Sequence, residues 1–194
     1  MFNLIIFGPP GAGKGTQAKM IAEKLHLHHL SSGELLRQAV KDSAYTKEIS
    51  SYLDAGRLVP DDLIIELIAI DLETHLNNGG IVFDGYPRTI FQAKSLDNLF
   101  AERGIEPITV INLELEDKIA IDRVMSRAEN SNRSDDKLAV VTERFKVYHG
   151  LTEPLLSYYE SKGRLMTVDG RPDIETVSKN IEKILKNHKQ HKTS

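Results

Sequence analysis

The feature that most restricts this chain lies at its beginning. The apolar run Leu4-Ile5-Ile6-Phe7 leads directly into Gly8-Pro9-Pro10-Gly11-Ala12-Gly13-Lys14-Gly15-Thr16. A short, uninterrupted apolar run closed by glycine and proline predicts a strand buried on both faces. A helix is expected from about Lys14 to Leu25, with Ala18, Ile21, Ala22 and Leu25 on one face. Strand, glycine-rich turn and helix N-terminus, in that order, form the setting in which backbone N–H groups gather round a phosphate. Side chains would keep successive N–H groups from converging on one oxyanion, so the loop needs glycine. The prolines lack an N–H but stiffen the entry. The expected donors are the N–H groups of Gly11, Ala12, Gly13, Lys14, Gly15 and Thr16. The Lys14 ammonium can reach a transferring phosphate, and the Thr16 hydroxyl can serve a phosphate or Mg²⁺. A nicotinamide-binding fingerprint would need glycine where Thr16 stands, so that reading fails.

Further apolar runs are Ile81-Val82-Phe83 before Asp84-Gly85, Ile108 to Leu113, and Leu165 to Val168 before Asp169-Gly170, with a short strand at Leu27 to Leu30. Helical patterns separate them: Asp61 to His75, Ile90 to Arg103, Asp117 to Arg127, Leu138 to Ser161 and Ile174 to His188. Strands alternating with helices imply an α/β fold, a parallel sheet covered on both faces. Two stretches break the alternation. Ser31 to Pro60 is helix-rich, and Glu129 to Asp136 is polar and reads as an exposed loop. Both are expected to be small mobile inserts. The polar, basic tail from Lys186 to Ser194 reads as a frayed end.

Composition narrows the chemistry. A chain of 194 residues suits one α/β domain with small inserts. Its formal charge of -3 gives no basic excess that would suggest nucleic acid or a membrane surface. Without cysteine there are no disulfides, thiolate metal sites or cysteine nucleophiles. The N-terminal apolar run is too short for a signal peptide or a membrane span, which makes the cytosol the default location. His26, His28 and His29 carry no supporting carboxylate or cysteine pattern and read as solvated or partly packed. Phe145, Tyr148, Tyr158 and Tyr159 lie on a helical stretch and read as core and rim.

Gly13-Lys14-Gly15-Thr16-Gln17 resembles the nucleoside monophosphate kinases, adenylate kinases above all. Gly15 stands where Ser or Thr follows the lysine in the general phosphate-loop motif. Leu30-Ser31-Ser32-Gly33-Glu34-Leu35-Leu36-Arg37 is similar to the family's AMP-site segment, and Ala55 to Asp61 to its next segment. Asp84-Gly85-Tyr86-Pro87-Arg88-Thr89 resembles its Asp-Gly-aromatic-Pro-Arg-Thr motif. Arg123, Arg127, Arg133 and Arg144 sit where the family places its transfer-site arginines. The match runs in order along essentially the whole chain.

The resemblance implies a P-loop NTPase-type parallel sheet flanked by helices. The core would comprise 1–30, 61–126 and 138–194, with a helical NMP-binding insert at 31–60 and a short lid at 127–137. The implied activity is reversible transfer of the γ-phosphate of ATP to AMP, giving two ADP, with Mg²⁺. Lys14, Arg88, Arg123, Arg133 and Arg144 would be catalytic. Gly11 to Thr16, Arg127 and Pro172 would bind ATP, Arg127 by stacking on adenine or gripping phosphate and Arg123 by meeting the transferring phosphoryl group. Ser32, Arg37, Arg57, Leu58, Val59, Gly85, Arg88, Gln92, Arg133 and Arg144 would bind AMP, Gln92 offering its amide to adenine. Asp84 would hold Mg²⁺ through water.

The departures are Ser32 where threonine is common, Arg57 for the usual lysine, and a lid reduced to Ala128-Glu129-Asn130-Ser131-Asn132 between Arg127 and Arg133. Short lids also occur in UMP/CMP kinases, which usually carry asparagine where this chain has Thr89. Thr89 and Gln92 point to AMP. No cysteine is available for the zinc site of some long-lid relatives, so no structural zinc is expected, and the chain is expected to be monomeric. A GTP-binding switch protein would resemble its class in an Asn-Lys-x-Asp motif, and none occurs. The intact lysine and arginine set argues against a catalytically dead module. An acceptor phosphate with a second pKa of about 6 is already ionised near neutrality, so no general base is required. Positioning and fixed positive charge must do the work.

Overall fold

Side-chain alternation in the first strand divides the core in two. In β1 (Leu4–Phe7) every residue is buried, and alternate residues point to opposite faces of the sheet. The structure, a computed structural model, describes residues 2–42, 46–75, 79–130 and 137–192. β1 is the centre of a five-stranded sheet in the order β2-β3-β1-β4-β5. The others are β2 (His28–Ser31), β3 (Ile81–Asp84), β4 (Thr109–Glu114) and β5 (Leu165–Asp169). All pairings are parallel, with Ile5 opposite both Phe83 and Val110.

Ile5, Phe7, Leu30, Phe83 and Val110 belong to one apolar cluster, closed by α4 (Asp61–His75), α5 (Ile90–Glu102) and α8 (Pro154–Glu160). Leu4, Ile6, Val82, Ile111 and Leu113 belong to the other, closed by α1 (Lys14–Leu25), α6 (Asp117–Asn130), α7 (Leu138–Val147) and α9 (Ile174–Lys192). Each large apolar side chain buried this way contributes about 1.5–3 kcal/mol. Between β2 and α4 lie α2 (Ser32–Asp42) and α3 (Thr46–Asp54), which attach through Leu36 and Ile49. Among the described residues no helix is long and apolar enough to cross a membrane.

Several expected boundaries move, each for a local reason. The single helix expected from Leu138 to Ser161 is three pieces: α7, a π-helical turn at Tyr148–Thr152, and α8. Pro154 has no N–H to continue the ladder and starts α8, while the wide turn is closed by Glu153 N–H donating to the Tyr148 carbonyl at 2.8 Å. The tail expected to fray at Lys186 continues α9 to Lys192. Val177, Ile181 and Leu185 dock its earlier turns in the core, and helix propagates readily from an anchored start. Glu129 and Asn130, expected in the polar loop, continue α6; residues 131–136 lie outside the described residues. The short strand expected at Leu27 begins at His28, because Leu27 N–H is used to close α1 on the Ala22 carbonyl.

Candidate active site

Parallel strands bring their carboxyl ends to one edge of the sheet, where α/β folds bind ligands. The loop after β1 occupies that edge. Gly13 caps α1 in the left-handed region, at φ 89°. A Cβ on Gly11 would stand 2.3 Å from the Ala120 carbonyl oxygen, so the loop can lie against α6 only with glycine there. Ala12 N–H donates to the Pro9 carbonyl at 3.1 Å and is engaged within the loop, unlike the free donor expected. Lys14, Gly15 and Thr16 open the first turn of α1, where no earlier helical carbonyl meets their N–H groups.

Lys14 folds back, its Nζ donating to the carbonyls of Gly8 and Pro9 at 2.8 Å each. Burial brings its pKa down to about 7; Asp84 opposes the shift, and Arg88, Arg144 and Arg127 add to it. Arg88, between β3 and α5, Arg127 of α6 and Arg144 of α7 line the same cavity as Lys14. Arg123 is held elsewhere. Its guanidinium donates to the Gly170 and Arg171 carbonyls at 2.8 Å each, on the loop between β5 and α9.

At the end of β3, burial alone would raise the Asp84 carboxyl, but His29, Lys14 and Arg88 outweigh it and hold the group below its ordinary range. The His29 Nε2 lies 3.7 Å from Asp84 Oδ2, a long contact rather than a formed hydrogen bond. A Cβ at Gly15 would come 3.1 Å from that same oxygen, so glycine leaves the carboxylate room beside the loop.

The other end of the site is built on α2, α4 and α5. Ser32 Oγ donates to the Gly85 carbonyl at 2.7 Å, and the Arg88 Nε donates to the same carbonyl at 2.8 Å. The Arg37 guanidinium lies over Gly33, where a Cβ would be 3.3 Å from it. Gln92 is buried, with both ends of its amide engaged. Its Oε1 accepts from Arg88 N–H at 2.7 Å and its Nε2 donates to Asp61 Oδ1 at 2.7 Å. A primary amide has two donor hydrogens and two lone pairs, so one of each remains, in a fixed order. Gly56 packs against Val140 and Arg144 of α7, and the exposed Arg57 pairs with Glu143 at 3.8 Å.

Arg133 lies outside the described residues. All the other expected site residues line one cavity of about 730 Å³: Gly11 to Thr16, Ser32, Arg37, Arg57, Leu58, Val59, Asp84, Gly85, Arg88, Gln92, Arg123, Arg127, Arg144 and Pro172. Its lining carries eight lysines and arginines against three carboxylates, in a chain of formal charge -3. Such a concentration of cations in a concave site attracts polyanions.

The family profile described as adenylate kinase matches residues 6–164. The chain belongs to the adenylate kinase family. Among its relatives is an adenylate kinase from Parabacteroides distasonis, 39% identical over 190 residues, spanning 97% of this chain and 100% of the relative. An adenylate kinase from Chelativorans sp. is 42% identical over 190 residues, covering 94% and 98%. One from Mesorhizobium japonicum is 41% identical over 190 residues, covering 94% and 96%. The chain is thus a phosphotransferase of the nucleoside monophosphate kinase type.

Sequence reasoning missed three supporting residues of the site. Asp61 orients the Gln92 amide and accepts from Thr89 Oγ1 at 3.0 Å. Thr152, on the π turn, donates to the Arg88 carbonyl at 3.1 Å. His29 faces Asp84. Thr152 and Asp61 stand 64 and 31 residues from the groups they hold, so no local pattern links them. For a family that works with Mg²⁺-bound ATP, the donor set fits. An ionised carboxylate and the Thr16 hydroxyl both line the cavity at the loop, and hard oxygen ligands suit Mg²⁺.

Proposed function

We propose that this cavity takes ATP and AMP together and passes the γ-phosphate of ATP to AMP, giving two ADP. The observation that carries the reading is that Lys14, Arg88, Arg127 and Arg144 all line one cationic cavity. Two polyanions must meet in line, and only fixed positive charge between them makes that approach favourable.

ATP lies with its phosphates on the 11–16 loop. Arg127 and Lys14 face the transferring phosphoryl group, and Arg123, tied to the Gly170 and Arg171 carbonyls, frames the adenine end beside Pro172. This exchanges the roles expected for the two arginines from sequence. They are four residues apart on one helix, so they share a face, one turn separating phosphate from base. Asp84, through water, and Thr16 near by would hold Mg²⁺, which would supply neutralisation of phosphate charge. AMP lies on the other side, its phosphate gripped by Arg37, Arg88 and Arg144 and its base read by the free donor and lone pair of Gln92. Leu58, Val59, Ser32 and Gly85 line its ribose and base, with Arg57 at the rim. Arg133 joins the phosphate clamp from the lid. The protein acts as a cytoplasmic monomer, and 31–60 and 127–137 close over the loop to exclude water.

An assay of ATP against AMP, CMP, UMP and GMP tests this reading. A buried amide that matches one base edge rejects bases that leave it unpaired. AMP should lead in kcat/KM by a wide margin; equal use of CMP or UMP would make the enzyme a pyrimidine nucleotide kinase instead.

A further inference from the structure

His28, expected from sequence to be solvated or partly packed with no carboxylate pattern in support, is partly packed and does meet a carboxylate. His28 is the first residue of β2, and Asp71 and His75 stand one turn apart near the end of α4. His28 Nε2 is 2.8 Å from Asp71 Oδ2, and His75 Nδ1 is 3.5 Å from the same oxygen. The two imidazoles stack face to face, with centroids 3.7 Å apart and planes within 2°. The three donor atoms lie within 4.8 Å of one another. No sequence pattern reveals this, because Asp71 is 43 residues from His28.

We propose that His28, Asp71 and His75 bind a divalent transition-metal ion of the zinc class, clipping α4 to the edge strand β2. Two imidazole nitrogens and one carboxylate form a donor set that suits zinc, nickel or copper far better than Mg²⁺ or Ca²⁺. Zinc bonds of about 2.0–2.1 Å in a tetrahedron require donor atoms about 3.4 Å apart. The His75–Asp71 separation of 3.5 Å already meets that spacing, and the His28–Asp71 separation of 2.8 Å needs to open by about half an ångström. The rings must also tilt out of their parallel stack so that both in-plane lone pairs point at one ion. Partial exposure of all three side chains leaves room for water as a fourth ligand. His75 Nδ1 also lies 2.9 Å from its own helix's Asp71 carbonyl. In the metal-free chain that nitrogen can donate there; on binding, the neutral ring takes the tautomer with its proton on Nε2 and turns the Nδ1 lone pair from the carbonyl to the ion.

The position is distinct from the substrate cavity. His28 pairs with Ile81 at the amino end of the sheet, while Ser31 pairs with Asp84 at the carboxyl end, three strand residues or about 10 Å away. The scaffold is rigid, since α4 is seated by Ile64, Ile68 and Leu72 in the core. α4 also begins with Asp61, which orients Gln92, so the clip would fix the helix that holds the base-reading amide.

The test uses the full chain, stripped of metal with EDTA and titrated with Zn²⁺ against a chromogenic chelator. One tightly held zinc per chain is expected. Outer-shell changes around metal sites typically cost about 10- to 100-fold in affinity. Loss of a direct ligand in His28→Ala or His75→Ala should exceed that, with phosphotransfer retained. Imidazole-nitrogen NMR of the unmutated chain should show Zn²⁺ shifting His28 Nε2 and His75 Nδ1. That reading decides the question even where a variant fails to fold. Absence of stoichiometric zinc, undiminished uptake by folded variants, or shifts confined to His149 or other histidines would each overturn the proposal.

Discussion

Lys14 joins the fold to the chemistry. Its ammonium is buried against backbone carbonyls among arginines, and its pKa falls from 10.5 to about 7. The sign follows. Below about pH 7 both folded and unfolded chains carry the proton, and the folded state bears the cost of a charge it disfavours. That cost is relieved as pH rises from about 7 towards 10.5, where the unfolded chain still holds the proton. A bound phosphate beside Lys14 restores its charge, so ATP binding near pH 8 should take up a proton. Calorimetry in buffers of different ionisation enthalpy should show uptake in the native chain that is missing in Lys14→Met. Equal values would mean that Lys14 does not meet the phosphate. The same variant should lose at least ~100-fold in kcat while staying folded. Asp61 gives a second residue-scale prediction. Asp61→Ala removes the partner that fixes the Gln92 amide, and about 1.4 kcal/mol of lost pairing is tenfold. KM for AMP should rise about tenfold with KM for ATP nearly unchanged. Asp61→Asn, which keeps an acceptor, should recover most of the loss; an equal rise for both substrates would refute a base-specific role.

The elements show what local sequence can and cannot encode. β1, the phosphate loop and α1 were readable because one strand–turn–helix unit carries its own signals: an apolar run, glycines and a helical face. α4 was readable to the residue, since Asp61 and His75 bound an uninterrupted periodic stretch. The π turn was not, because hydrophobic periodicity passes through Tyr148 to Tyr159 with only Pro154 to mark a break. That turn places His149 against two carboxylates, Glu153 at 2.9 Å and Asp117 at 2.8 Å, joining the start of α6 to the end of α7. Glu153 first and Asp117 next raise the His149 pKa above 6.5. A raised pKa contributes stability that is complete below about pH 6.5 and fades as pH rises through the folded value. Thermal unfolding should therefore show His149→Ala less stable than the native chain near pH 6, with the gap closing at alkaline pH. A gap independent of pH would mean that the ring acts by packing alone. Exposure keeps the effect small.

At the scale of the molecule, sheet order decides which distant residues meet. The motif residues of the site were legible one by one, but their convergence on a single cavity depends on β3 and β4 both flanking β1. The supports at Asp61, Thr152 and His29 became visible only with tertiary contacts. The same topology leaves α2 and α3 outside the alternating core, joined to it at Ser32 and Asp61. A ligand spanning both nucleotide positions should therefore slow hydrogen exchange in 31–60 and 127–137 more than in β1 or β3. Unchanged exchange in both segments would make the site preformed and remove the closure step.

Phosphorus-31 NMR of the enzyme with ATP, AMP and Mg²⁺ reads transfer and hydrolysis in one spectrum. Transfer between two nucleotides held in one cavity should convert both signals to ADP, two molecules for each ATP consumed, without release of inorganic phosphate. Inorganic phosphate with only one ADP for each ATP and AMP left unconsumed, or an unchanged mixture, would contradict phosphoryl transfer at Lys14.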